Sequence, residues 1–159
     1  MGVKRLIGAV ALAMGVAWSV AACQGTAGAM AQADGSEAGW SQLQSQVGQY
    51  QQDAAFLQQG VMAAKMQHLL GDHTAAFLQN LQVAGPLQQE GSVYFITGNR
   101  PHEGGQNAGA VALDAKTDTM RIWWLQNGQP RVVQDAGAAF AWPRDVNTLI
   151  TNTVSGPAS

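Results

Sequence analysis

The sequence has 159 residues, which is enough for one domain with a hydrophobic core and too few for two. Hydrophobic residues make up 47%, an ordinary share for a globular protein, while charged residues make up only 11%. The formal net charge of −2 argues against nucleic-acid binding, which depends on clustered lysine and arginine, and suits a cationic partner. The single cysteine excludes an internal disulfide and a thiolate metal cluster.

The N-terminal segment is typical of an export signal. Lys4 and Arg5 precede an apolar run over residues 6–22, and this order predicts a signal peptide over residues 1–22. A transmembrane anchor fits less well, because the run is rather short and is interrupted by glycines. The run ends in "VAAC", which resembles the bacterial lipobox, so we expect Cys23 to be lipidated and to become the mature N-terminus.

A second cleavage pattern, the small-x-small sequence "AMA", follows at residues 29–31. The sequence therefore predicts a protein of the periplasm or cell envelope. It would be lipid-anchored at Cys23, or soluble in the periplasm if it is cleaved after Ala31. Loss of Lys4 and Arg5 with the signal peptide leaves six basic and ten acidic residues, a net charge of −4.

The remaining chain divides into a tether and one domain. Residues 23–39 are small, polar and rich in glycine and alanine, which predicts a flexible tether. Residues 40–155 are expected to form a single domain. Its first part, residues 40–59, is rich in glutamine and spaces its apolar residues three, four and seven apart, which weakly favours a helix.

Two further helices are predicted before residue 86. The apolar residues between positions 61 and 70 fall on one helical face, and Gly71 ends this helix. Asp72 is expected to be the N-cap of a second helix that runs to about Gln82. The sequence "AGP" at residues 84–86 stops it.

After Gly91 the hydrophobic period changes from that of a helix to that of strands. Asn127-Gly128 is the strongest short hairpin signal in the chain. Trp142-Pro143 opens a C-terminal helix over about residues 143–152. The predicted strands form an antiparallel meander over residues 92–97, 108–114, 119–126 and 129–135.

This order of helices, strands and a final helix predicts an α+β domain with an antiparallel sheet. Trp123 and Trp124 are neighbours on one strand, so their side chains point to opposite faces of the sheet. Two exposed adjacent tryptophans would form an unusual apolar patch. We therefore expect helices on both faces of the meander, that is, a three-layer α-β-α sandwich.

The segment 97–107, "TGNRPHEGGQN", is predicted to be an exposed loop, because its glycines and proline do not fit the middle of a helix or strand. It places His102 and Glu103 side by side. Metal binding is not favoured, because His68, His73 and His102 show no ligand spacing. Nucleophilic catalysis is not supported either, because no serine lies in a nucleophile elbow. We expect neither a catalytic site nor a cofactor.

The loop is better suited to binding. Pro101 limits backbone freedom, so that less entropy is lost when the loop docks on a partner. The imidazole of His102 can donate from one nitrogen and accept at the other, or donate from both when it is charged. Such a group fits carboxyl groups in a cleft.

Three stretches resemble the Ivy family, bacterial inhibitors of vertebrate (c-type) lysozyme. They are "LLGDHTAAFLQNL" (69–81), the strand that ends near residue 97, and "NRPHEGGQNAGAVALDAKTDTM" (99–120) with the strand after it. The resemblance covers about residues 61–135. It implies an envelope or periplasmic protein with a helix-sheet-helix sandwich, c-type lysozyme as the partner, and the ability of two copies to pair as a homodimer.

The resemblance also implies roles for the loop residues. Members of the family carry a Lys-Pro-His-Asp core between two cysteines, and the histidine enters the lysozyme active site. By this match His102 inserts between the two catalytic carboxylates of lysozyme and Pro101 shapes the loop, while Glu103 and Arg100 replace the family's acidic residue and lysine. The residues expected to bind lysozyme are Arg100, Pro101, His102, Glu103 and Gly104.

The chain departs from the family at two positions, because Asn99 and Gly104 stand where the cysteines should be. Either Pro101 and backbone hydrogen bonds then hold the loop, or the affinity for lysozyme is lower. Two other functions remain open from the residues alone. One is an envelope lipoprotein that binds another partner, such as peptidoglycan or an unrelated protein. The other is a hydrolase that uses His102 and Glu103.

Overall fold

A computed structural model describes residues 37–154 of the protein. The predicted signal peptide, Cys23, the alternative cleavage after Ala31 and residues 23–36 of the predicted tether lie outside the described residues. The first helix, α1 (Glu37–Ser45), begins within the last part of the range predicted as tether. None of the described helices combines the length and the apolarity needed to cross a membrane.

Within residues 37–154 six strands form one antiparallel sheet, which together with the helices confirms the α+β class. The four predicted strands are all present and differ from the prediction by at most two residues at either end. They are β3 (Val93–Asn99), β4 (Ala108–Asp114), β5 (Thr119–Gln126) and β6 (Gln129–Gln134), paired in this order. Asn127 and Gly128 join β5 to β6 with positive φ angles of 51° and 73°, as a type I′ turn requires.

Two short strands were not predicted. β1 (Val83–Ala84) and β2 (Gln88–Glu90) both pair with β3 and thereby extend the sheet on that side. Their residues are too few and too polar for a period-2 pattern, so the pairing arises from β3 and not from a local preference. Gly98 allows the close approach, because a Cβ atom at this position would lie 2.8 Å from the carbonyl oxygen of Val83.

The helical prediction for residues 40–59 is correct only in its first part, because α1 ends at Ser45. Gly48, with φ of 88°, cannot continue a regular helix. Its N–H donates to the carbonyl of Leu87, and the Leu87 N–H donates to the carbonyl of Gln49, both at 2.8 Å. These long-range bonds replace the helical ones, and the chain continues in turns that bury Phe56 and Leu57.

The predicted helix over 61–70 is present as α2 (Gly60–Leu70), and Gly71 ends it with a positive φ of 52°. The prediction that Asp72 caps the next helix is wrong. Asp72 lies inside a single 3₁₀ turn, and α3 (Thr74–Gln79) begins without a side-chain cap. The Thr74 hydroxyl instead donates to the Gly71 carbonyl at 2.7 Å, which holds the bend between the two helices.

The sheet carries a hydrophobic cluster on each face. Trp124 is 3% exposed and meets the ring of Phe77 edge to face, in the cluster formed with α1, α2 and α3. Trp123 is 2% exposed and belongs to a separate cluster with Val146 of α4 (Arg144–Val154). The two tryptophans therefore lie on opposite faces of the sheet, as their alternation on β5 predicts, and both are buried.

Candidate functional site

The β3–β4 loop, residues 100–107, contains the segment that the sequence singled out. Asn99 and Ala108 are the last paired residues of the two strands, and the Arg100 N–H donates to the Asn107 carbonyl at 3.0 Å just beyond them. The base of the loop is thus closed by backbone bonds. Pro101, His102 and Glu103 are exposed above it.

The tip of the loop is a tight turn. The Glu103 N–H donates to the Arg100 carbonyl at 3.0 Å, with Pro101 at the second position and His102, at φ of 63°, at the third. Proline followed by a residue with positive φ is the pattern of a type II turn, in which glycine or asparagine usually takes the third position. The imidazole at the apex therefore belongs to a residue whose positive φ causes some backbone strain.

No hydrogen bond or ion pair within residues 37–154 involves the His102 side chain. Both ring nitrogens are therefore available to a ligand from outside. The charges beside it cancel, because Arg100 Nη1 lies 3.6 Å from Glu103 Oε2. A histidine tip on a charge-balanced loop is suited to entering a polar cleft.

Four polar residues form what we call the loop network: Asn80, Arg100, Glu103 and Asn107. Arg100 Nη2 donates to Asn80 Oδ1 at 3.1 Å, and Asn107 Nδ2 donates to Glu103 Oε2 at 2.6 Å. With the Arg100–Glu103 ion pair, these contacts run without interruption from the end of α3 across the underside of the loop. Glu103 also accepts at its carbonyl from the N–H groups of Gln106 and Asn107, at 2.9 and 2.7 Å.

Both ends of the loop network are fixed in the sheet. Asn80 is fully buried, and its amide donates to the carbonyls of Ala108 and Leu125 at 3.3 and 2.7 Å. Asn107 is 4% exposed, and its Oδ1 accepts the N–H of Asn127, in the β5–β6 turn, at 3.1 Å. The Gly128 N–H adds a bond of 2.9 Å to the Gln106 carbonyl.

Asn99 and Gly104 face each other across the loop. A Cβ atom built on Gly104 lies 3.7 Å from the Cβ of Asn99, and disulfides join Cβ atoms about 3.5–4.5 Å apart. The Cβ separation at these positions is thus one that a disulfide can span, although neither residue carries sulfur. The Asn99 side chain instead donates to the Arg100 carbonyl at 2.8 Å.

The other two histidines take no part in the loop network. His68 is exposed on α2, and the ring of His73 lies 6.0 Å from that of Trp124. Within the described residues, no group of three or more histidine, cysteine, aspartate or glutamate side chains could hold a metal ion.

The roles of Asn80, Asn107 and the β5–β6 turn were not predicted from the sequence. One local signal pointed to Asn80, which follows Phe77 by three residues and so falls on the apolar face of its helix. A polar residue on such a face must find partners, since burying an unpaired amide costs free energy. Which carbonyls it would meet could not be read from the sequence.

The sequence profile of the family described as inhibitor of vertebrate lysozyme (Ivy) matches residues 61–156, well over half of the chain, including α2, the sheet and the loop. The chain belongs to the Ivy family. Membership implies lysozyme inhibition as the activity and lysozyme as the protein partner. No curated protein and no solved structure shows significant similarity to the chain.

Proposed function

We propose that this Ivy protein is an exported inhibitor that blocks the active-site cleft of a c-type lysozyme with its β3–β4 loop. His102 is the inserted residue, and Pro101 fixes the turn that presents it. The protein acts by binding and catalyses no reaction. The observation that carries this proposal is the imidazole of His102 at the apex of a hydrogen-bonded turn, exposed and without a hydrogen-bond partner among residues 37–154.

The chemistry of the target supports insertion of a histidine. A retaining glycosidase such as lysozyme holds its acid and its nucleophilic carboxylate about 5 Å apart. One imidazole can bridge them, with a separate nitrogen facing each carboxyl group, one of which is protonated and one ionised. Hydrogen bonds to an ionised carboxylate are among the stronger ones, so a single side chain can occupy the centre of the cleft.

The order of the loop also supports tight binding. Its backbone bonds and the loop network hold the turn before any partner arrives, so that little conformational entropy remains to be lost on docking. An acidic protein with a charge of −4 after loss of the signal would also meet a cationic lysozyme faster than a neutral one.

We propose the following arrangement around this loop. Residues 1–22 direct export, and the protein is then lipid-anchored at Cys23 or released after Ala31. Helices α1–α3 and α4 cover opposite faces of the sheet in a three-layer α-β-α sandwich, which the separate clusters around Trp124 and Trp123 support. Two copies can pair as a homodimer, as the family suggests.

The test is a lysozyme assay on bacterial cell walls, in which the purified protein is titrated against c-type lysozyme. We expect inhibition by the wild type, and an inhibition constant at least about 30-fold higher for His102→Ala, the loss expected of a hot-spot residue. His68→Ala removes an exposed histidine from α2 and should change nothing.

Equal inhibition by His102→Ala and the wild type would show that the loop is not the inhibitory element. Absence of inhibition by the wild type at micromolar concentration would show that family membership gives the fold and not the activity. Binding to peptidoglycan or to another envelope protein would then be the alternative to measure.

A further inference from the structure

We propose that the loop network of Asn80, Arg100, Glu103 and Asn107 is the device that holds the inhibitory loop in its binding shape, and that Arg100 and Glu103 act inside the protein and not on lysozyme. This inference rests on the proposed function for its effect on inhibition. Its effect on the loop itself can be measured without lysozyme.

Asn80 provides a fixed anchor. Its side chain is fully buried. The Nδ2 amide group donates to the carbonyls of Ala108 and Leu125, and Oδ1 accepts a hydrogen bond from Arg100. The two carbonyls belong to neighbouring strands of the sheet, β4 and β5. The Asn80 amide therefore has one orientation, and Arg100 is held against it.

Arg100 is turned toward the protein. Its side chain is 30% exposed and its Nε is buried, while the two terminal nitrogens contact Asn80 and Glu103, with a further contact from Nη2 to Gln79 Oε1 at 3.4 Å. A guanidinium used in this way has few directions left for a partner in front of the loop. Its role is that of a bridge between α3 and the loop.

Glu103 links this bridge to the far side of the loop. Its Oε2 accepts from Asn107 Nδ2 at 2.6 Å and lies 3.6 Å from Arg100, so one carboxylate oxygen is directed inward although the side chain is 46% exposed. Asn107 Oδ1 in turn accepts a hydrogen bond from the N–H of Asn127. The loop is thus braced between α3 and the β5–β6 turn.

The bracing matters because the loop contains no covalent cross-link. The only cysteine, Cys23, lies far from it in the sequence, so the bonds of the loop network and of the backbone must supply the order. Releasing the network would let His102 and its neighbours sample many conformations, and that freedom would be lost again on docking. We expect removal of one member to weaken inhibition about tenfold, the equivalent of one or two newly freed side chains.

The experiment compares Glu103→Ala and Asn107→Ala with the wild type, all with Cys23→Ser, and then adds Asn99→Cys and Gly104→Cys to each. The engineered pair has the Cβ separation that a disulfide needs. Asp53→Ala, which removes an exposed carboxylate elsewhere, is the control for the loss of charge. Each protein is measured for inhibition and for amide hydrogen exchange at positions 103, 106 and 107, and its thermal unfolding shows whether it is folded.

We expect both alanine variants to exchange faster at these amides and to inhibit about tenfold less well, and the oxidised cross-link to restore both properties. The Asp53→Ala control should match the wild type. Restored exchange without restored inhibition would mean that Glu103 or Asn107 contacts lysozyme directly, which would overturn the proposal. Unchanged exchange in the alanine variants of a folded protein would overturn it as well.

The two proposals can fail separately. If the wild type does not inhibit lysozyme but the alanine variants exchange faster and the cross-link reverses this, the loop network holds the loop and only the assigned partner is wrong. If the wild type inhibits and the network variants inhibit equally well, the inhibitory function stands and the positioning role is wrong.

Discussion

At the scale of single residues, the backbone conformation of His102 is the most informative feature. Few side chains are found at φ of 63°, and histidine is one of those that tolerate this region better than most. Under the proposed function, this position needs two properties together, namely tolerance of a left-handed backbone and an imidazole. Asparagine shares the first property and lacks the second, which makes it the sharper probe.

We expect His102→Asn to keep the stability of the wild type within about 0.5 kcal/mol and to lose inhibition, because asparagine suits the turn and cannot replace the imidazole. His102→Val should cost about 1–2 kcal/mol of folding free energy, because a β-branched side chain is strained at positive φ. Urea unfolding measures the stability of both variants. Equal stability of the valine variant would mean that the turn adapts and that the conformation at residue 102 is not fixed.

Asp114 gives a second prediction at this scale. Burial alone would raise the pKa of its carboxyl group, but hydrogen bonds from the side chains of Ser92 and Thr117, the Lys116 N–H and the charge of Lys116 outweigh burial and lower it. A carboxyl group whose pKa is lowered on folding adds stability above its unfolded pKa of about 3.9, and this stability is lost as the pH falls through the folded value.

Asp114→Asn should therefore destabilise the protein by about 1 kcal/mol at pH 7, the difference between charged and neutral hydrogen bonds. The deficit should begin to shrink below about pH 4, where the carboxyl group of the unfolded wild-type chain takes up a proton, and it should disappear as the pH falls through the lower pKa of the folded state. Denaturant unfolding of the two proteins at pH 7 and pH 3 makes the comparison. A deficit of the same size at both pH values would show that the charge of Asp114 contributes nothing.

At the scale of elements, the loop depends on three parts of the fold that are distant in sequence. The strands β3 and β4 set its base, the end of α3 supplies Asn80, and the β5–β6 turn supplies the N–H groups of Asn127 and Gly128. Gly109 on β4 allows this arrangement, because a Cβ there would lie 2.8 Å from the ring of Phe77. The helix can therefore lie close to the sheet near the base of the loop.

The cross-link Asn99→Cys with Gly104→Cys, introduced into the protein with Cys23→Ser, should stabilise the fold. Closing so short a loop is worth about 2 kcal/mol in the chain-entropy model when the geometry is unstrained, and the Cβ atoms are suitably placed. Thermal unfolding with and without a reductant measures the effect in one protein. A lower melting temperature for the oxidised form would mean that the loop must distort to form the bond.

At the scale of the whole molecule, charge governs how the protein meets its partner. The full sequence carries −2, and the proposed removal of residues 1–22 would make it −4. At the tip of the loop the charges of Arg100 and Glu103 cancel. If the proposed function is right, the attraction to a cationic lysozyme is a property of the overall surface, and the proposed loop contacts determine how long the complex lasts.

The association rate with lysozyme should fall several-fold, on the order of tenfold at most, when the ionic strength rises from 0.01 M to 0.5 M. The dissociation rate should change much less, because the inserted loop is shielded from salt. Surface plasmon resonance or stopped-flow fluorescence separates the two rates. An association rate that does not depend on salt would show that surface charge plays no part in the encounter.

The sequence by itself determined the features that depend on neighbouring residues. The bounds of β4 and β5, the Asn127-Gly128 turn and the helix that ends at Gly71 follow from side-chain period and turn chemistry. The loop that contains His102 could also be predicted, because glycine and proline interrupt regular helices and strands. Family membership follows from the same stretches.

Only the tertiary structure decided the rest. β1 and β2 exist because β3 offers them partners, and residues 46–59 leave the helix because Gly48 and Gln49 bond to Leu87 instead. The loop network likewise joins Asn80 to residues 20 or more positions further along the chain. A hydrogen bond between distant residues leaves no periodic trace in a sequence, since its energy depends on where the fold places each partner.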